Sequence, residues 1–339
     1  FGFCRAHAAA FAVPTYQSAY LKAHHPAALF SGLLTHDPGM YPRRVLVHEA
    51  RRSGVPVLGV DVNASGALWQ MERQEGGVWG VRAGLVDVPT LTDQHRAQLR
   101  AGRPFNDLDD LLARTDLDGE ALDDLILAGG ADSLTGSGGG GRRQLMIAAH
   151  AHHRTTRRTR GGGAGPAAGQ LTLTTAPVPG GGAVVAGPVA AAMTPAEQRA
   201  EELRVLGYET TGHLLDAHVE ALADLAAHHR LASAARLAHL PDGAPVTVAG
   251  VRISVQTPPT RSGRRVVFAT LEDRTGLVDV ALFEGAQQQA ARVLFEHRLV
   301  IAAGRVRRST PHSLPTVTVT RAWPLTAHST AREASRVAA

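Results

Sequence analysis

One cysteine, Cys4, stands in 339 residues, so an internal disulfide framework and a cysteine-ligated zinc site are both excluded. Lysine is equally scarce: Lys22 is the only one, and the rest of the basic charge is arginine. Aromatic side chains make up 4% of the chain. That is too few for a long series of base-stacking platforms, so any polyanion binding is expected to be electrostatic and indifferent to sequence. No apolar run approaches the roughly 18 residues that cross a bilayer. The opening stretch, FGFCRAHAAAF, has no basic segment followed by a continuous apolar core, so it is not a signal peptide. We therefore expect a cytoplasmic protein with no membrane partner. The first residue is not methionine and the helical pattern is already under way there, as expected of a chain that begins inside a larger domain.

The charge that is present is unevenly placed. Residues 142–160 hold six arginines and no acid, and residues 246–325 hold eleven arginines against five acids. Acids outnumber bases in residues 1–141 and 161–245. Two basic blocks in an otherwise acidic chain are the footprint of a polyanion-binding protein.

The length allows two or three domains. Residues 1–60 read as helices broken by Pro14 and Pro26, with YPRRVLVHEARRSG as an amphipathic helix and VPVLGVDVN as a short strand. Residues 61–153 combine a hairpin, ALWQMERQEGGVWGVRAGL, with four further helical segments. Residues 154–193 are a Gly/Ala/Pro/Thr/Arg stretch expected to be a flexible, disordered linker. Connecting helices occupy 194–243, opened by Thr194 as N-cap, Pro195 in the first turn and Glu197 in a capping box.

Residues 244–325 carry five alternating runs with a helical stretch, EGAQQQAARVLFEH, between the third and fourth. That order is the plan of an OB-fold barrel, which binds oligonucleotides on strands 2 and 3 and on the loops joining strands 1–2 and 4–5. The first of those loops carries Arg261, Arg264 and Arg265. The other is bordered by Arg305 and carries Arg307, Arg308 and His312. These arginines, with Arg142 and Arg143 of the first basic block, are the candidate DNA contacts. Phe268, in the second strand run, is the candidate stacking side chain, although its alternating context better suits barrel core. A tail follows from 326 to 339. The fold class expected is multidomain α+β.

Self-contained chemistry finds little support. Asp107/Asp109 lie on a helix, where residues two apart diverge, and Asp116/Asp118 open a helical turn, so neither pair suits two-metal phosphoryl transfer. His150, His152 and His153 have no acid or cysteine near them in sequence, and Gly138–Gly141 lacks the Lys-Ser/Thr of a phosphate loop. No metal site and no cofactor is expected from the residues themselves.

The stretch FGFCRAHAAAFAVPTYQSAYLKAHHPAALFSGLL resembles the fingers of bacterial C-family DNA polymerases, the family of the DNA polymerase III alpha subunit. The resemblance continues through GVPVLGVDVN, PFNDLDDLLAR, ALDDLILAGGADSL and the barrel. RVLGYETTGHLLD and ISVQTPPTRSGRRVVFATLEDRTGLVDVALFE are closest to the error-prone paralogue. The resemblance implies the C-terminal part of such a polymerase: the end of the fingers, a helix-hairpin-helix region, a linker and an OB-fold. It also implies roles in DNA replication, repair and translesion synthesis. In the family the catalytic palm precedes this region. Nucleotidyl transfer, and the magnesium it uses, are therefore expected only with a complementary polymerase chain.

Position by position, Arg5 and His7 match the basic and histidine positions that contact the incoming nucleotide's phosphates, with Cys4 and Ala6 replacing the usual Asn and Ser. Val86–Thr92 takes the place of the first hairpin without its glycine, which predicts a lost phosphate contact. Gln170, Leu171 and Leu173 match a sliding-clamp-binding peptide whose aromatic anchor is replaced by Thr174. The implied partner is DNA, chiefly single-stranded. The rival reading is a stand-alone single-strand-binding or scaffold protein with no polymerase role.

Overall fold

The computed structural model describes residues 4–39, 41–135, 141–160, 190–259, 265–310 and 313–326, with the side chains of 155–160 left undescribed. Two compact units share the chain. The first is Phe1–Pro38 with Ser53–Thr211, and the second is Gly39–Arg52 with Gly212–Ala339.

The first unit begins with helices α1 (Arg5–His24) and α2 (Pro26–His36). Pro26 occupies the first turn of α2, where a missing N–H costs nothing. Pro14, expected to end a helix, lies within α1 instead. No residue of α1 is buried, so the carbonyl that Pro14 deprives of its helical partner is within reach of solvent. Strands β1 (Val57–Leu58), β2 (Gln70–Arg73) and β3 (Trp79–Arg82) form a small sheet in the order β1-β3-β2. The expected hairpin is the antiparallel β2–β3 pair, and β1 joins it in parallel.

Four helices follow: α4 (Asp93–Ala101), α5 (Leu108–Arg114), α6 (Gly119–Leu127) and α7 (Gly141–Arg160). Asp107 and Asp118 accept the amides of Asp110 and Ala121 at 2.8 Å, so both are N-caps. Helix α7 runs beyond residue 154, where the linker was expected to begin. Helix α8 (Pro195–Leu206) starts with the expected capping box: the Thr194 amide donates to Glu197 at 2.8 Å and the Glu197 amide to Thr194 Oγ1 at 3.2 Å.

The segment after α8 belongs to the first unit. Tyr208, fully buried, donates its hydroxyl to the buried Asp87, which also accepts Trp69 Nε1 at 2.7 Å. Glu202 accepts the amides of Thr210 at 2.7 Å and Thr211 at 3.1 Å, and Arg142 Nη2 at 2.9 Å. These buried bonds tie RVLGYETT to helices on the other side of the linker stretch.

The second unit is a closed barrel of β4 (Pro245–Gln256), β5 (Val267–Asp273), β6 (Gly276–Leu282), β7 (Leu299–Arg307) and β8 (Thr316–Pro324), in the order β4-β5-β6-β8-β7. Helix α11 (Glu284–Glu296), between β6 and β7, places Ala290 and Leu294 in the barrel core with Val248, Val280, Leu282, Val306 and Val317. Helices α9 (Val219–His228) and α10 (Ala234–Leu237) precede the barrel. Helix α3 (Arg43–Arg52), read from sequence as part of the first 60 residues, belongs to this unit. Its Val47 and Ala50 are fully buried.

Candidate nucleic-acid interface

Alternation decides which side chains the barrel shows to solvent. In β5 the core takes Val267, Ala269 and Leu271, so Phe268, Thr270 and Glu272 point outward. In β6 the core takes Val278, Val280 and Leu282, leaving Leu277, Asp279 and Ala281 outside. Strand register then aligns these residues in rows across neighbouring strands. One row runs Gln256, Phe268, Ala281, Thr318, Arg305, and the next runs Ser254, Thr270, Asp279, Thr316, Arg307.

Phe268 is 42% exposed. The core reading of its alternating context is therefore corrected: the pleat turns Phe268 out and its neighbours in. It offers a ring face at the centre of the face that OB-folds use for oligonucleotides. Thr270 Oγ1 donates to Asp279 Oδ1 at 2.8 Å, which fixes one carboxylate on that face. At the far end of β5 the outward Glu272 is fully buried. Arg44 of α3 donates to Glu272 Oε2, and Arg52 Nη1 of α3 lies 3.5 Å from Glu272 Oε1, an ion-pair rather than a hydrogen-bond distance. Helix α3 thus closes the acidic end of the face and neutralises its carboxylate.

The arginines predicted from sequence divide into open and occupied. Arg265 is exposed two residues before β5, while Arg261, Arg264 and His312 lie outside the described residues. Arg305 and Arg307 flank the inward Val306 and are exposed. Arg305 Nη1 donates to the Gly243 carbonyl at 2.9 Å, and Arg307 sits 3.5 Å from Asp242. Arg308 is occupied: its guanidinium donates to the carbonyls of Ser313, Ala238 and Leu240, bracing the loop instead of facing the groove. A glycine permits the β7–β8 register here. A Cβ on Gly304 would stand 2.0 Å from the Thr318 carbonyl oxygen.

In the first unit Arg142 is 3% exposed. Its guanidinium donates to Asp132 at 2.8 Å, Glu202 at 2.9 Å and the Leu127 carbonyl at 3.0 Å. The expectation of a free cation at this position is corrected, because burial forces the charge to find acceptors within the protein. Arg143 stays partly exposed beside Glu197 at 2.6 Å. The hairpin amides are committed as well. Those of Val86, Asp87, Val88 and Leu91 donate to backbone carbonyls, and those of Ala128, Gly129 and Gly130 close the end of α6. Arg5 and His7 stand exposed on the first turns of α1, with the His7 ring edge-on to Phe11 at 4.5 Å. The exposed Cys4 thiol just before them is held below its ordinary range by the backbone amides of His7 and Ala6. Gln170, Leu171 and Leu173 lie outside the described residues.

One buried trio has metal-ligand chemistry: His48, His213 and Glu272, whose ligand atoms lie within 4.8 Å of one another. The donor set does not fit a metal. His213 Nδ1 accepts the Leu215 amide at 3.1 Å and is not open to a metal, and the Arg44 Nη2 donor lies 3.4 Å from Nε2. The Arg44 guanidinium, bonded to Glu272, already fills the cation's place. The His48 and His213 rings meet edge-on at 4.8 Å beside it. Sequence reasoning missed this cluster because its members are far apart along the chain. The nearest local signal is the Arg-rich helix α3 itself. His150, thought to lack an acid, meets Asp123 at 3.0 Å across helices.

Residues 54–145 match the helix-hairpin-helix motif family, and residues 246–325 match the OB-fold nucleic acid binding domain family. Among curated relatives, an error-prone DNA polymerase of Symbiobacterium thermophilum is 35% identical over 94% of this chain and 31% of its own length. One from Azoarcus is 35% identical over 91% of this chain and 27% of its own, and one from Nocardia farcinica is 34% identical over 91% and 25%. The chain thus spans under a third of the length of these relatives. Among solved structures, RecG bound to a three-way DNA junction aligns with 34% of this chain and 16% of its own at 19% identity and a TM-score of 0.23, too low to bear on function. Over more than nine-tenths of its length the chain is homologous to the error-prone DNA polymerases, and its helix-hairpin-helix and OB-fold modules fit the C-terminal portion of that family.

Proposed function

We propose that this chain is the DNA-binding portion of an error-prone C-family DNA polymerase and holds single-stranded template on the outer face of its OB-fold. The observation that carries this reading is the exposed Phe268, set in one cross-strand row with Arg305 and following the exposed Arg265 by three residues. A ring stacks any base and the arginines take phosphates, so binding is sequence-tolerant, as template reading past damaged bases requires. Nucleotidyl transfer itself is not assigned to these residues. Asp107 and Asp118 are occupied as helix caps and Asp116 accepts Gln98 Nε2 at 2.9 Å, and magnesium would accompany a palm supplied elsewhere.

Fluorescence anisotropy with single-stranded and duplex DNA across a salt series tests the reading. The expected result is tight single-strand binding that falls steeply with salt, and a shallower salt slope in the Arg261/Arg264/Arg265→Ala protein. An unchanged slope removes the groove assignment. Complementation of a palm-bearing chain separates a polymerase role from that of a stand-alone single-strand-binding protein. Binding of the sliding clamp through Gln170, Leu171 and Leu173 is read in the same way, from loss of clamp retention on Leu171→Ala.

A further inference from the structure

A second basic feature lies beside the barrel. The end of α9, the turn after it, α10 and the start of β4 enclose a cleft of about 500 Å³, whose wall includes His228, His229, Arg230, Arg236, Leu240 and Pro245 and no acidic residue. Arg230 and Arg236 are exposed, and neither guanidinium has an acceptor among the described residues. His229 Nε2 is buried from solvent without a hydrogen-bond partner. His228 is held by Asp224, whose carboxylate is 3.2 Å from Nδ1. Behind the wall, Arg308 donates to the carbonyl of Leu240 at 3.4 Å. The His228 ring and the guanidiniums of Arg230 and Arg236, three groups able to donate to an anion, therefore border one space sized for a small polar ligand.

Register links this cleft to the Phe268 face. Phe268 lies opposite Ala281, Ala281 opposite Thr318, Thr318 opposite Arg305, and Arg305 opposite Pro245 at the cleft wall. Four inter-strand steps make a path of about 19 Å over the barrel surface.

We propose that the cleft is a second phosphate anchor for the strand: a single strand stacked on Phe268 crosses Arg305 and sets a backbone phosphate between Arg230 and Arg236. This rests on the proposed single-strand binding and adds to it a route and a minimum strand length. A phosphodiester of the strand and a free phosphate share the recognising chemistry, and the test separates them.

Anisotropy of the full chain is measured with oligonucleotides of about four and about sixteen nucleotides, the range of OB-fold site sizes. Removing two phosphate contacts by Arg230→Ala/Arg236→Ala is expected to weaken the longer oligonucleotide about 25-fold near 0.1 M salt and lower its salt slope by about 1.4. The short one should be unaffected. The Arg230→Lys/Arg236→Lys protein should recover the slope, which excludes a folding defect, and Phe268→Ala should weaken both lengths. Equal binding of the longer strand by the double-alanine and parent proteins overturns the anchor while leaving the groove intact. Failure of the parent to bind either strand overturns both readings. A histidine NMR response to inorganic phosphate that the double-alanine change abolishes, with strand binding unaltered, makes this a free-phosphate site and overturns the anchor.

Discussion

Single side chains carry much of the argument. Phe268 is a large apolar group left in water by the pleat, and its removal should cost binding without costing the core. Phe268→Ala is expected to weaken single-strand binding by about 1–3 kcal/mol, read by anisotropy, with the melting temperature nearly unchanged. Arg142 is the opposite case. It is buried, its charge is matched by Asp132 and Glu202, and those carboxylates lift its already high pKa against the opposing effect of burial. Arg142→Met should destabilise the protein by about 3–5 kcal/mol, because Glu202 would stay buried without its counter-charge. A denaturant melt would check this. Gly129 beside it has φ +87°, and an added Cβ would meet Arg142 Nη2 at 2.3 Å. At that one turn both conformation and space demand glycine.

At the scale of elements, α3 and β5 act as a pair. Arg44 and Arg52, two turns apart on α3, both reach Glu272 on β5. Arg44→Met alone should destabilise strongly, whereas Arg44→Met with Glu272→Leu should recover most of the loss, since the double change leaves no buried charge unpaired. A double-mutant cycle on unfolding free energies measures the difference. On the neighbouring β6, Asp279 places a negative charge between Phe268 and Arg307 on the proposed binding face. Asp279→Asn is expected to tighten single-strand binding a few-fold at low salt, with the gain shrinking as salt screens the charge. In the first unit's sheet, Arg82 of β3 binds Glu72 of β2 and holds its carboxyl below the ordinary 4.5. The folded-state pKa is depressed, so this support is present above the unfolded value and lost as pH falls through the lower folded one.

For the whole molecule, the division of labour follows from where polar groups are left over. The first unit uses its hairpin amides and Arg142 internally, while the second leaves Phe268, Arg265, Arg230 and Arg236 open. On the proposed reading, in which the groove takes one backbone, duplex affinity should trail single-strand affinity by about ten-fold. The second unit is also discontinuous in sequence. A polypeptide of residues 212–326 lacks α3, with its buried Val47 and Ala50 and its two partners for Glu272. It should melt well below the same piece supplied with a peptide of residues 39–52.

The sequence by itself determined the barrel, its helix between the third and fourth strands, the capped start of α8 and the two basic blocks. All of these depend on local periodicity, capping chemistry and composition, which neighbouring residues settle among themselves. The outward setting of Arg305 and Arg307 was legible for the same reason, from their alternation with Val306. Only the tertiary structure decided which arginines are free. Arg142 and Arg308 look like Arg265 in the sequence, yet their acceptors come from residues five to seventy positions away. The choice between core and surface for Phe268, the assignment of α3 to the barrel and the cleft at Arg230 and Arg236 were likewise left to the fold. Each depends on which face of an element the rest of the chain covers, and burial of that kind is set by packing between distant segments.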